Sequence, residues 1–115
     1  SWGTIGGGGF DVQTATTTTT SQTSIATYEV AKVLGLKIMI LATDTTTTER
    51  YITEILLTHD GTTAVATEYG QVSTDTALAT YDVDISGSDI RVLATPASTN
   101  STSFIVRGAE IVTPV

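Results

Sequence analysis

Residues 55–70 read ILLTHDGTTAVATEYG, and their reading decides between an enzyme and a building block. The stretch holds the only histidine of the chain, His59, beside Asp60 and close in sequence to Glu54 and Glu68. One reading is a catalytic cluster. The other is a hairpin: RYITEILLTH (50–59) as a strand, the Asp-Gly pair (60–61) as a turn in which glycine takes a positive φ, and AVATEYGQV (64–72) as the return strand. A histidine base needs a nucleophile or polarised water and an orienting partner within hydrogen-bond reach. No serine here stands in a GxSxG elbow, and sequence neighbours such as His59 and Asp60 point to opposite sides of a strand. The hairpin is the better reading, and it predicts no catalytic residue.

Working outward, the same pattern repeats. SIATYEVAKVLG and LKIMILATD are β-rich runs, predicted to separate near Gly35, and TDTTTTE (43–49) is a polar loop. ALATYDVDIS (77–86) places Ala79, Tyr81, Val83 and Ile85 on one face and Thr80, Asp82 and Asp84 on the other. SGSD (86–89) turns the chain into IRVLAT; Pro96 and a polar stretch end that strand, and FIVRGAEIV closes the domain. Roughly seven or eight short strands, with turn signals about every 8–12 residues, predict an all-β antiparallel β-sandwich or jelly-roll-like fold. Threonine, at 26 of 115 residues, agrees, because its branched Cβ favours strands.

Residues 1–22 differ. SWGTIGGGGFDV combines four consecutive glycines with isolated Trp2, Ile5 and Phe10, and TATTTTTSQT follows. Glycine loses the most conformational freedom on ordering, so 1–22 reads as a flexible Gly/Thr-rich arm ahead of a domain at 23–115. Trp2, Ile5 and Phe10 are its candidate partner-binding anchors; a locally docked strand or a free tail are the alternatives. The glycine run lacks the preceding strand, following helix and GK[ST] of a phosphate loop. Nor do residues 1–10 have the basic start and apolar stretch of a signal peptide; if Ser1 is the mature end, removal of an initiator methionine is expected.

Composition narrows the partners. A formal charge of −7 opposes binding to phosphate backbones, so no nucleic-acid partner is expected. No apolar run reaches the ~18 residues of a membrane-spanning helix, the longest (33–42) being interrupted by Lys37. Without cysteine there is no disulfide framework, zinc ribbon or thiol nucleophile. DVDISGSD (82–89) resembles the start of a calcium loop, with Asp82, Asp84 and Ser86 as alternate oxygens, but Leu93 stands where the twelfth-position acid belongs. An outward-facing hairpin explains that segment equally well, and no metal or other cofactor is expected.

One resemblance is specific. HDGTT (59–63), TEYG (67–70) and SGSDIRVLATPA (86–97), in this order, resemble a β module of structural proteins of tailed bacteriophages, especially cyanophages. The likeness covers about residues 26–107, departing at Val33, where an aromatic often follows the Ala-Lys pair, and leaving 1–22 outside. It implies a virion structural protein without enzyme activity or catalytic residues. A short acidic chain with an arm then leads to a capsid decoration (cement) protein on the outer surface of the head, partnered by the major capsid protein and by itself as a homotrimer or homodimer. Members also occur within tail and fibre proteins, so the alternative is a tail fibre or spike module contacting the host through the polar loops at 43–48 and 98–103.

Overall fold

The structure, a computed structural model, describes residues 10–114. They form eight strands: β1 Phe10–Thr17, β2 Thr23–Glu29, β3 Val33–Asp44, β4 Arg50–His59, β5 Ala64–Ser73, β6 Ala79–Ser86, β7 Asp89–Pro96 and β8 Thr102–Val112. Two antiparallel sheets result, one of five strands in the order β1-β8-β3-β4-β5 and one of three in the order β2-β7-β6. The chain changes sheet at each connection except the three hairpins β3–β4, β4–β5 and β6–β7. This is the all-β sandwich that the turn spacing predicts.

The core lies between the sheets. Ile38 and Ile40 of β3, Phe104 and Val106 of β8, and Ile90 and Val92 of β7 are fully buried. Alternation puts them there, since successive side chains of a strand point to opposite faces. Phe104 meets Tyr81 edge-on with ring centroids 6.3 Å apart. Tyr81 stacks on Tyr51 at the same separation, tying β8, β6 and β4 together across the layers. Packing is tight at Gly108: a Cβ there would meet Tyr28 Oη of the facing sheet at 3.1 Å and Ile38 Cγ2 and Leu36 Cδ2 of neighbouring β3 at 3.3 Å.

Two sequence expectations change. The break predicted near Gly35 falls instead at residues 30–32, where Lys32 N donates to Glu29 O and Val30 N donates to Ser88 O. Gly35 sits inside β3 at a register shift against β8, so it marks a bulge and not a turn. The other change concerns the arm. Residues 10–17 pair along their whole length with β8, from Phe10 opposite Ala109 to Thr17 opposite Thr102. Their period-two pattern, with Val12, Thr14 and Thr16 exposed and Thr17 buried, outweighs the low complexity of the threonine run. The proposed boundary at 22/23 therefore falls between β1 and β2. Trp2, Ile5 and the glycines at 6–9 lie outside the described residues, and Phe10 opens β1.

Candidate docking surface

His59 ends β4 and is occupied on both sides. Gly61 N donates to its Nδ1 at 2.9 Å, and its Nε2 lies 2.6 Å from Val33 O. With an amide donating to Nδ1, Nε2 is the nitrogen that donates to the Val33 carbonyl. The ring therefore clamps the start of β3 to the β4–β5 turn and keeps no free lone pair for a substrate. Asp60 completes the turn: its Oδ1 accepts from Thr62 N and Thr63 N at 2.9 and 2.8 Å, which holds its carboxyl below the usual range. Gly61 has φ 93°, as the turn requires. Glu54 and Glu68 do not join His59. Glu54 approaches Lys37 at 3.9 Å, and Glu68 accepts from Tyr51 Oη at 3.0 Å.

The Asp82, Asp84 and Ser86 series lies along β6. Arg91, opposite Asp84 on β7, donates through Nε to Asp84 Oδ1 at 2.8 Å, and its guanidinium holds that carboxyl below the usual range. Asp82 Oδ1 accepts from Val83 N at 2.8 Å. No group of three or more His, Cys, Asp or Glu side chains is placed to hold a metal among the described residues.

The polar loops do converge. Thr45 N and Thr45 Oγ1 both donate to Ser101 O at 2.9 Å, joining the β3–β4 and β7–β8 connections. Asp44, at the end of β3, is the hub: its Oδ1 accepts from Thr46 N and Thr47 N, and its Oδ2 from Asn100 Nδ2 at 2.8 Å. The Asn100 bond above all, then those backbone amides, lower the Asp44 pKa against the opposing effect of burial. Thr48 has φ 61°, a left-handed conformation costly for a β-branched residue, and its N donates to Asp44 O at 2.7 Å. A cleft of about 300 Å³ lies between these loops and the β5–β6 connection, with Glu49, Asp75 and Asn100 in its lining.

The largest feature is one that periodicity reasoning passed over. Every exposed large apolar side chain whose environment is described sits on the outer face of the five-stranded sheet. Register lines them up. Ile105, Leu41, Ile52 and Val72 run side by side across β8, β3, β4 and β5. The next row reads Val12, Arg107, Met39, Glu54 and Tyr69. Toward the His59 end the face deepens into a groove of about 780 Å³ lined by Leu34, Leu56, Val65 and Ile111. The signal was present in LKIMILA (36–42), which is apolar at both parities except for Lys37; a strand with one solvated face alternates.

Comparisons with known proteins agree with the fold. No protein-family profile and no curated protein sequence matches the chain. Among solved structures it is similar to the tailspike protein of Acinetobacter phage vB_ApiP_P1, with a TM-score of 0.51 and 16% identity, over 90% of this chain and 22% of that one. It is also similar to the tailspike protein gp49 of Acinetobacter baumannii bacteriophage Fri1, a capsular polysaccharide depolymerase, with a TM-score of 0.51 and 18% identity, over 90% of this chain and 19% of that one. The chain thus spans about a fifth of the length of either tailspike, and at these identities the likeness is one of fold.

Proposed function

We propose that this chain is a structural β-sandwich module of a tailed-bacteriophage virion, and that it belongs to the tail, as part of a spike or fibre or closely associated with one. The observation that carries the reading is the likeness of 90% of the chain to part of two tailspike proteins. It supports the tail alternative over decoration of the head. The depolymerase activity named for gp49 belongs to that whole protein. For this chain a non-catalytic role fits better, because both ring nitrogens of His59 are held by backbone groups.

Contact with the host surface is assigned to the end where the β3–β4, β5–β6 and β7–β8 connections meet. Hydroxyls and amides of Thr47, Thr76, Ser98 and Asn100 surround the cleft there, and such groups suit hydroxyl-rich glycans. The reading is tested by the copy number per purified virion, measured by quantitative mass spectrometry against the major shell protein. A handful of copies is the expected result. Hundreds, in fixed ratio to the shell protein, would overturn it in favour of head decoration.

A further inference from the structure

We propose that the outer face of the five-stranded sheet is a self-association interface, in which a second copy of this chain packs face to face about a two-fold axis parallel to β3. The inference rests on this surface and not on the tail assignment, and its test is independent of copy number.

Area is the first argument. Among the described residues, the ten exposed large apolar side chains are each between 38% and 67% exposed. Together they amount to roughly 900 Å², against ~800 Å² per partner in a standard stable interface. The largest apolar patch of an ordinary monomer is only ~300–600 Å². The three-stranded sheet, the other outer face of the same molecule, contributes none of the ten.

Charge arrangement is the second argument, and it selects the symmetry. Met39 on β3 lies between Glu54 on β4 and Arg107 on β8, one strand to either side. A two-fold axis along β3, passing near Met39 and Leu41, exchanges the two sides. It sets Glu54 of each copy over Arg107 of the other, Ile52 over Ile105, and Leu41 over its own equivalent. A two-fold axis across the strands at this row would set Glu54 over Glu54 and Arg107 over Arg107. At this row only the first brings opposite charges together across the seam, which is what electrostatic complementarity in an isologous interface favours. The same axis brings Lys37, also on β3, toward its own equivalent, and the Glu54 carboxylate 3.9 Å away in its own chain offsets that contact. Aligned sheet packing with strands about 30° apart accommodates the arrangement.

The experiment is sedimentation equilibrium of the full chain from micromolar to millimolar concentration, with circular dichroism confirming that each variant is folded. Native protein is expected to form dimers. Glu54→Arg and Arg107→Glu, each alone, should weaken association about tenfold or more, and the double exchange should restore it to within about threefold. Because the chain has no cysteine, Met39→Cys offers a second readout: a short bis-maleimide should link two copies, whereas Thr80→Cys on the opposite sheet should stay unlinked. A monomer at every concentration would overturn the proposal and leave the face to residues 1–9 or to another virion protein. A trimer, or a double exchange that fails to restore association, would overturn it equally.

Discussion

The two outer faces of this sandwich are built from the same alternating backbone and differ in what the outward residues are. On the three-stranded sheet the central outward row is Thr27, Arg91 and Asp84, the last two joined as an ion pair. On the five-stranded sheet it is Ile105, Leu41, Ile52 and Val72. Both sheets contribute equally well to one core, so folding does not require the second set. A surface that folding does not require, and that water disfavours, is explained by something it meets. The difference teaches where to look for function in this sandwich.

The strongest way to break the comparison is to separate the sheets. At Gly108 even a Cβ would lie 3.1–3.3 Å from the side chains of Tyr28, Leu36 and Ile38, which must shift to admit one. Gly108→Val is expected to destabilise by about 1–3 kcal/mol, the range for overpacking a filled core. Denaturant unfolding would measure this, and an unchanged midpoint would show that the sheets can part locally.

Next come the two ends. His59→Ala removes both backbone hydrogen bonds of the clamp beside the apolar groove and should cost about 1–2 kcal/mol, as two uncharged bonds do. Because the role is structural, His59→Gln, which keeps a polar group at that position, should recover part of the loss. At the opposite end, the folded pKa of Asp44 is lowered from 3.8. Its contribution is therefore complete above the unfolded value and disappears as pH falls below it through the folded value. Thermal unfolding followed down through that window should show a steeper acid decline for the native chain than for Asp44→Asn, which has no carboxylate to protonate. Parallel declines would remove Asp44 as the hub of the loops.

How much of this was legible in the sequence depends on the kind of signal. ILLTHDGTTAVATEYG announced its hairpin because strand, turn and strand chemistry all agree locally, down to the positive φ of Gly61. ALATYDVDIS gave its faces by strict alternation. Residues 10–17 misled because low complexity and polarity describe composition, whereas pairing to β8 is a long-range gain that no local pattern encodes. Gly35 misled because a glycine in a β run marks either a turn or a bulge, and the neighbouring strand decides which. The loop cluster around Asp44 joins residues 56 positions apart, so Asp44 and Asn100 carried no mutual signal. The apolar face was visible as a failure of alternation in LKIMILA, and its extent emerged only when register set four strands side by side.

The smallest expected change in stability is also the sharpest test of the comparison. Val72→Lys on the apolar face and Arg91→Ala on the polar one should both leave Tm within experimental scatter, measured where the protein is dilute enough to be monomeric. Val72 is 65% exposed and holds no core contact to lose. The Arg91–Asp84 pair has side chains 37% and 38% exposed, where screening by solvent leaves ion pairs with little net effect. The faces should separate instead in the binding of an apolar fluorescent dye to the folded protein. Val72→Lys interrupts the continuous row next to Ile52 and should reduce the signal, while Arg91→Ala should leave it unchanged. Equal responses from the two variants would mean that the apolar row is not a continuous surface in solution, and the contrast between the faces would lose its functional meaning.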